Sequence, residues 1–351
     1  MKAITLQELG VAAEIPLPVR RDWRIGLVGF GGIAIWSHVP AYQKAGWNIV
    51  AVADPSEGAQ EKAREMLPEA RIYSDYTQLL QETEVDAVAL LTQPVLRLPV
   101  VQVAAKFGRP VLIEKPLANT LEEAQQIVQL GEEHSLPIAV SQNYRWDGAN
   151  FFARQLVEQG YVGEMHFASI EIFGTQDRDL AGHSFYSQCD DFMTVQWNTH
   201  LADLLQFWSG AVPQRRWTVT RRSSGQNFKS NGLLFSVIEL GDNLTGHILH
   251  SELVRSGATG AMCRIDGSEG SLVFPMSGDY VEIYSSRLDN EPARLDLSTL
   301  NLAHSMAGSM GDLLLSIEQK REPSVSARRN LATLNAVFSD QKSSEQGGAW
   351  L

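Results

Sequence analysis

The first 141 residues alternate short apolar runs with amphipathic stretches whose apolar positions recur every three to four residues. Short apolar runs are typical of buried strands, and amphipathic stretches between them are typical of crossover helices. The runs predict strands at residues 24–28, 48–53, 71–73, 87–91, 111–113 and 138–141. The stretches predict helices at residues 33–45, 56–66, 98–107 and 121–133. Thr120 and Glu123 form a capping-box pattern at the start of the last helix. Strands that alternate with helices predict a parallel sheet.

The pattern changes after Tyr144, where strand-like runs begin to follow one another without helices between them. A helix at residues 150–159 leads into a run at 164–173. Further strand-like runs lie at residues 217–220, 233–240, 245–252, 263–266, 271–274 and 281–285, with helical patterns at 307–319 and 327–344. Consecutive strands indicate an α+β domain with an open, mostly antiparallel sheet. We expect four segments, an N-terminal extension at residues 1–20, a first domain at 21–143, a second at 144–325, and a C-terminal helix and tail at 326–351. The extension is expected to be an arm on another subunit or a loose end.

Glycines mark the turn after the first predicted strand. Gly29, Gly31 and Ala34 fit the pattern GxGxxA, which combines a tight turn, close approach of the backbone to a diphosphate, and a small residue where helix meets strand. Such a turn presents amide groups at a helix N-terminus, whose partial positive charge suits a diphosphate. Glycines at a strand-to-helix turn also occur as turn chemistry alone. The residues expected to bind the cofactor here are Gly29, Phe30, Gly31, Gly32 and Ile33.

Asp54 ends the second predicted strand, at about the distance from the glycine turn expected of an acidic partner for the adenosine ribose. A carboxylate there accepts hydrogen bonds from the ribose hydroxyls and repels a 2'-phosphate. Pro55 and Ser56 follow it without an adjacent arginine, which favours NAD over NADP. The alternative is an ordinary turn residue or helix cap. The residues after the fourth strand that we also assign to the cofactor site are Thr92, Gln93 and Pro94.

Lys115 follows a buried-looking run in the sequence Glu114-Lys115-Pro116. The carboxyl ends of parallel strands are where open α/β sheets bind their ligands, so this lysine is expected beside the cofactor, together with Glu114. Its charge would stabilise an alkoxide that forms on the substrate. A surface lysine paired to Glu114 is the alternative. The fold class predicted is therefore α/β, with an N-terminal Rossmann, doubly wound parallel sheet and a C-terminal α+β domain.

Composition narrows the function classes. The chain has 351 residues, 44% of them hydrophobic, and a net charge of −12, which argues against nucleic acid and anionic membrane surfaces as partners. Cys189 and Cys263 give neither a metal-binding spacing nor a disulfide framework, and the scattered histidines predict no metal site. The N-terminus lacks the apolar region of a signal peptide, and no apolar stretch is long enough to span a membrane, so we expect a cytoplasmic protein.

The order of these motifs resembles one family. GxGxxA, the strand-end aspartate, Glu-Lys-Pro, Asn-Tyr-Arg at 143–145, the turn at 160–163 and Asn-Thr-His-Leu-Ala-Asp at 198–203 are together similar to the glucose-fructose oxidoreductase, inositol dehydrogenase and MocA family. The resemblance spans residue 24 to the C-terminal helices. It implies NAD(P), sugar, polyol or sugar-derived substrates, and homodimers or homotetramers. It also implies that Lys115 and His200 are catalytic and flank the alcohol carbon.

His200 can accept the proton of a substrate hydroxyl because imidazole titrates near neutrality. Asp203 lies three residues later on the same predicted helix face and could orient the imidazole, cap the helix or bind substrate. The alternative is a helix N-terminal histidine with a satisfied ring. The family commonly has an aspartate where this chain has Gln196, so an amide replaces a charged group; Asp190 and Asp191 are the candidates to substitute for it. The residues assigned to substrate binding are Lys115, Asn143, Arg145, Gln196, His200 and Asp203, with Arg178, His183 and Tyr186 as further candidates.

Three functions are compatible with these residues. The first is an NAD-dependent oxidoreductase acting on a hydroxyl of a sugar, cyclitol or sugar derivative. The second is a glycoside-cleaving enzyme that uses bound NAD transiently, by oxidation and elimination, and accumulates no NADH. The third, suggested by Gln196, is an inactive NAD(P)-binding regulator.

Overall fold

The structure, a computed structural model, describes residues 1–182 and 184–351, and of residues 184 and 185 only the backbone. It contains two compact units. The parallel-sheet unit comprises Ile15–Trp146 and Ala303–Leu331, and the mixed-sheet unit comprises Met1–Glu14, Asp147–Leu302 and Ala332–Leu351.

Fifteen strands and twelve α-helices occur in the described residues. The strands are β1 Lys2–Ile4, β2 Arg24–Val28, β3 Asn48–Ala53, β4 Arg71–Tyr73, β5 Ala87–Leu90, β6 Val111–Glu114, β7 Ile138–Ser141, β8 Met165–Phe173, β9 Pro213–Arg221, β10 Leu233–Leu240, β11 Leu244–Ser251, β12 Gly260–Gly267, β13 Gly270–Pro275, β14 Tyr280–Ser285 and β15 Ala293–Asp296. The helices are α1 Leu6–Leu9, α2 Val39–Ala45, α3 Glu57–Met66, α4 Tyr76–Glu82, α5 Arg97–Lys106, α6 Leu121–Glu133, α7 Gly148–Glu158, α8 Gln176–Asp179, α9 Ser184–Gln188, α10 Asn198–Ser209, α11 Ser305–Gln319 and α12 Ala327–Glu345.

The parallel sheet has the strand order β4-β3-β2-β5-β6-β7, and every neighbouring pair is parallel. The predicted Rossmann-type sheet is confirmed. Its central strands are buried on both faces, which is why they appear in the sequence as continuous apolar runs. The chain runs outward from β2 in one direction and from β5 in the other, so the switch point lies between these two strands.

Three details of the crossover helices differ from the sequence prediction. No helix was predicted between β4 and β5, where α4 lies. The helix after β2 opens with a π-helical turn, Ala34–His38, before α2 begins. The capping box of α6 is half formed: the Thr120 hydroxyl accepts from the amide of Glu123, but the Glu123 carboxylate accepts from the amide of Asn119 instead. The predicted start of α6 is confirmed. The predicted bond from the Thr120 amide to the Glu123 carboxylate is wrong, because the Asn119 amide makes it instead.

The mixed sheet has nine strands in the order β1-β15-β14-β13-β12-β8-β11-β10-β9. Most neighbouring pairs are antiparallel, as predicted, whereas β1 with β15 and β8 with β11 are parallel. The first residues were expected to be an arm or a loose end, and this is wrong for residues 2–4, which form the edge strand β1. At the opposite edge, Leu351 exchanges backbone hydrogen bonds with Arg216 of β9. Residues 2–4 thus form one edge of the sheet, and Leu351 covers part of the other.

A buried carboxylate holds α12 to the mixed sheet. The Asp340 side chain is fully buried and accepts hydrogen bonds from Arg216 Nε at 2.8 Å and from the Ser236 hydroxyl at 3.1 Å. The hydroxyl of Thr218 and a second guanidinium nitrogen of Arg216 also donate to it. Asn198 Nδ2, at the start of α10, donates to the same carboxylate over 2.6 Å. One negative charge therefore links α12, two strands and the first residue of α10.

We expect Asp340→Ala to destabilise the protein by about 3–5 kcal/mol, because it leaves the Arg216 charge buried without its partner. The free energy of unfolding in urea measures the loss. Asp242→Ala, at an exposed turn of the same unit, is the matched control and should change stability by less than about 0.5 kcal/mol. Equal stability of the two variants would contradict this account of α12.

Candidate functional site

The turn after β2 is built around a position that excludes any side chain. Gly29 has a φ of 95°, and a Cβ on it would lie 2.9 Å from the carbonyl oxygen of Leu91. A Cβ on Gly31, in contrast, would have no atom within 4 Å. The first glycine is thus required by the fold, and the second keeps the surface of the turn open. An open turn at a helix N-terminus is what close approach by a diphosphate requires.

Asp54 is fixed by the same turn. Its carboxylate accepts hydrogen bonds from the Phe30 amide at 2.8 Å and the Ser56 amide at 2.9 Å. The side chain is therefore neither mobile nor only a helix cap, because it joins the end of β3 to the glycine turn after β2. Each oxygen keeps further acceptor capacity, as ribose hydroxyls need. The glycine turn and this carboxylate together fit the adenosine half of a dinucleotide.

Thr92, Gln93 and Pro94 lie just past the carboxyl end of β5, the strand beside β2. They are partly or fully exposed, and Pro94 begins a short 3-10 turn. The Thr92 methyl group lies 3.2 Å from the position that a Cβ on Gly29 would take. The structure therefore brings this segment together with the glycine turn at the switch point of the sheet.

Glu114 and Lys115 lie at the end of β6, the next strand along. Glu114 is buried, and its carboxylate lies 2.8 Å from Nε2 of the fully buried His38. Its other oxygen accepts from the main-chain amide of Lys115 at 3.2 Å. Lys115 itself is half-buried, and the Lys115–Pro116 peptide bond is cis. Within the parallel-sheet unit, the predicted cofactor residues thus lie after adjacent strand ends.

The charge of Glu114 is stabilised in spite of burial. Burial alone would raise the pKa of this carboxyl group, but the hydrogen bond from His38 and the cationic groups of Lys115 and Arg97 outweigh it and hold the pKa well below 4.5. Nδ1 of His38 lies 2.8 Å from the hydroxyl of Tyr42, so both ring nitrogens have partners. The strand end that carries Lys115 therefore rests on a buried, ionised carboxylate.

Asn143 and Arg145, two predicted substrate residues, lie in a 3-10 turn after β7. Both are half-buried, and the Asn143 amide donates to the Ser305 hydroxyl at 3.3 Å. They belong to the parallel-sheet unit, as Lys115 does.

Gln196, His200 and Asp203 belong to the mixed-sheet unit. His200 lies in the first turn of α10, and its side chain is buried. Asp203 is 1% exposed and accepts from the Thr333 hydroxyl at 3.3 Å. Gln196 is half-buried in the π-helical turn Phe192–Trp197 that precedes α10. The prediction that a helix carries His200 is confirmed, and this helix begins at Asn198.

A buried acid–imidazole pair near His200 was missed by sequence reasoning. His250 Nε2 lies 2.7 Å from a carboxylate oxygen of Glu252, and both side chains are almost fully buried. The Trp197 ring lies edge-to-face with both histidines, its centroid 6.0 Å from that of His200 and 5.2 Å from that of His250. The local signal was only a histidine and a glutamate two residues apart at a strand end, which is common at protein surfaces.

The acids proposed to substitute for Gln196 make other contacts. Asp190 is exposed and pairs with Lys229 Nζ at 2.7 Å. Asp191 accepts from the Cys189 thiol at 2.7 Å, and burial together with this carboxylate raises the pKa of that thiol to about 12. Of the further candidates, Arg178 pairs with Asp179 at the surface, and His183 lies outside the described residues.

Over residues 1–182 and 184–351, no group of three or more histidine, cysteine or acidic side chains could hold a metal ion. None of the helices in the described part of the chain combines the length and apolar character that a membrane span needs.

The known proteins that this chain resembles include oxidoreductases and dehydrogenases. The model of the Gfo/Idh/MocA family, described as an oxidoreductase family with an NAD-binding Rossmann fold, matches residues 23–142. An uncharacterized oxidoreductase of Schizosaccharomyces pombe is 34% identical over 106 residues, which span 30% of this chain and 29% of that protein. A D-apiose dehydrogenase of Paraburkholderia graminis is 23% identical over 89% of this chain and 85% of its own length. A D-xylose 1-dehydrogenase [NADP(+)] of Haloarcula marismortui is 28% identical over 42% of this chain and 45% of its own length.

Solved structures share the architecture over nearly the whole chain. An oxidoreductase from Agrobacterium radiobacter, in complex with NAD+, L-tartaric acid and magnesium, has a TM-score of 0.84 at 20% identity and covers 94% of this chain and 98% of its own. At this identity the likeness shows the fold alone. The chain spans only 29% of the length of the Schizosaccharomyces pombe relative and 46% of the length of an uncharacterized protein of Saccharomyces cerevisiae that it also matches.

The depressed pKa of Glu114 predicts a pH dependence of stability. The ionised carboxylate stabilises the folded state above the pKa of the unfolded chain, near 4.5, and this contribution is lost as the pH falls towards the lower folded pKa. We expect the wild-type protein to lose on the order of 1–3 kcal/mol between about pH 5 and pH 3 through this group, and Glu114→Gln to lack that part of the loss. Urea unfolding across this pH range, with Glu61→Gln on the exposed face of α3 as control, measures it. If Glu114→Gln lost as much unfolding free energy as the wild type over this pH range, the loss could not be assigned to Glu114.

Proposed function

Because the chain belongs to the Gfo/Idh/MocA oxidoreductase family through its residues 23–142, we propose that it is an NAD-dependent oxidoreductase acting on a sugar, cyclitol or sugar derivative. The reaction transfers a hydride between a hydroxyl carbon of the substrate and the nicotinamide. The observation that carries this proposal is the convergence of the glycine turn, Asp54 and Lys115 at neighbouring strand ends of one parallel sheet. The dehydrogenases of apiose and xylose among the relatives support the substrate class.

Residues of the parallel-sheet unit would hold the cofactor. The diphosphate would lie against the open turn at Gly31, and the ribose hydroxyls would donate hydrogen bonds to Asp54. The segment from Thr92 to Pro94 follows β5, the strand next to the one that ends just before Lys115. When bound, NAD supplies the hydride acceptor. The ammonium group of Lys115 stabilises negative charge on the substrate oxygen as its proton leaves.

His200 is the proposed general base. Imidazole can accept the hydroxyl proton at neutral pH, which makes oxidation of the alcohol possible without a metal ion. Asp203, buried and bonded to Thr333, is fixed on the same helix face, three residues from His200. Asn143, Arg145 and Gln196 are proposed to bind the substrate hydroxyls, because amide and guanidinium groups donate hydrogen bonds without taking a proton.

Substrate oxidation is tested by incubating the purified protein with NAD and a panel of aldoses, polyols, cyclitols, sugar acids and aryl glycosides, following both NADH and released aglycone. We expect NADH to accumulate with at least one sugar-type substrate. Lys115→Met and His200→Asn should each lower kcat by about 10²- to 10⁴-fold, because each removes one group that acts on the reacting hydroxyl. The matched controls are Lys106→Met and His166→Asn at exposed positions, which should keep wild-type turnover.

Two results would contradict this function. Release of aglycone without net NADH favours the oxidation–elimination alternative. Dinucleotide binding without any turnover, and without an effect of either substitution, favours a regulator.

We expect Asp54 to set the preference for NAD. A carboxylate fixed by two amides repels a 2'-phosphate, so wild-type protein should bind NAD at least about tenfold more tightly than NADP. Asp54→Asn should narrow or remove this difference by weakening NAD binding. Titrations of both dinucleotides, followed by protein fluorescence, measure it, with Asp75→Asn at the start of α4 as control. A wild-type preference for NADP, the cofactor named for the relative from Haloarcula marismortui, would overturn the assignment.

A further inference from the structure

Arg97 joins the chain segments that follow two neighbouring strands. It is the first residue of α5, and its side chain is 2% exposed. One guanidinium nitrogen, Nη2, donates to the carbonyl oxygen of Thr92 at 3.3 Å and to that of Lys115 at 3.1 Å. The first carbonyl lies after β5 and the second after β6. A single side chain therefore spans the gap between the cofactor segment at Thr92 and the backbone of Lys115.

This arginine is costly to bury. Its Nε and Nη1 atoms have no hydrogen-bond acceptor among the residues that the structure describes. Burial lowers the pKa of the guanidinium to about 9, although the charge of Glu114 opposes this shift. Buried polar groups without partners reduce stability, so the position is poorly explained by stability alone. Strained or costly groups of this kind are tolerated where function requires them.

Arg109, in the same unit, is the comparison for Arg97, because its contacts lie away from the proposed site. Its Nε donates to the Leu80 carbonyl at 3.2 Å and its Nη1 to the Val85 carbonyl at 3.5 Å. It is half-buried and lies just before β6, at the opposite end of the sheet from Lys115. The two arginines thus make the same type of contact at opposite ends of the same strand.

We propose that Arg97 is a positioning residue that fixes Lys115 and the Thr92 segment relative to each other, so that the nicotinamide half of the dinucleotide meets a preformed surface. This inference rests on the proposed function, because it takes these two segments to be the nicotinamide side of the site. It assigns no contact between Arg97 and the cofactor. The residue acts through the two carbonyl groups, and through its charge on Glu114 behind Lys115.

The test separates the two halves of the dinucleotide. ADP-ribose has the adenosine, the diphosphate and the second ribose of NAD but lacks the nicotinamide. The dissociation constants of NAD and of ADP-ribose are measured by fluorescence titration for the wild type, Arg97→Met and Arg109→Met. Thermal unfolding of each protein is followed in parallel.

For Arg97→Met we expect NAD binding to weaken about tenfold and ADP-ribose binding to stay within about twofold of the wild type, as loss of one charge-assisted contact predicts. In Arg109→Met both constants should stay at wild-type values. With the substrate found by the panel, kcat of Arg97→Met should fall more than its NAD affinity does, because Lys115 is displaced as well. If Arg97→Met does not fold, Arg97→Lys serves instead: it keeps a cation but is too short to reach both carbonyls, and the same selective loss of NAD binding is expected.

Equal weakening of NAD and ADP-ribose would show a general structural role and overturn the inference, as would unchanged binding of both in either Arg97 variant. A wild-type protein that binds neither molecule would instead refute the proposed function, and the inference with it.

Discussion

The buried carboxylate of Glu114 is the constraint around which the parallel-sheet unit is arranged. A carboxylate removed from water is tolerated only when charges and donors surround it. Here these come from segments that follow three different strands: His38 after β2, Arg97 after β5 and the amide of Lys115 after β6. Satisfying one charge thus fixes the spacing of the loops that form the candidate cofactor site. The same demand explains why this edge of the sheet carries polar groups, while β5 and residues 111–113 of β6 below it are apolar and buried.

The π-helical turn Ala34–His38, after the glycine turn, carries the histidine that contacts Glu114. In an α-helix each residue advances about 100° around the axis, so one additional residue would rotate everything after it to another face. In the π-turn the amide of Val39 bonds the carbonyl of Ala34, and the extra residue is absorbed locally. His38 consequently reaches the interior beside Glu114, while Trp36 is 77% exposed. The π-turn therefore directs His38 to the interior before the regular helix α2 begins.

In the mixed-sheet unit, the buried carboxylate of Asp340 has the same role of joining several elements. This buried carboxylate joins α12 to two strands and to the first residue of the helix that carries His200. A second contact from α12, Thr333 to Asp203, fixes that helix three residues past His200. The proposed catalytic helix is therefore held in place by a C-terminal helix that follows it by more than a hundred residues in sequence. In both units, a proposed catalytic side chain lies on an element whose position depends on a buried ionised group.

The sequence determined the parallel sheet, its crossover helices except α4, and the glycine turn, because these depend on periodicity, turn chemistry and caps, which act between residues close together in the chain. It also placed Asp54 and Lys115 at strand ends, since a strand end is a local feature. The edge strand β1, its neighbour β15 and the buried pair of His38 and Glu114 were decided only by the tertiary structure. Short strands at or next to a sheet edge form because a neighbouring strand offers unpaired backbone groups, and His38 meets Glu114 across 76 residues of sequence. A lone histidine or arginine carries no local signal of burial, because its partner is brought to it by the packing of other elements.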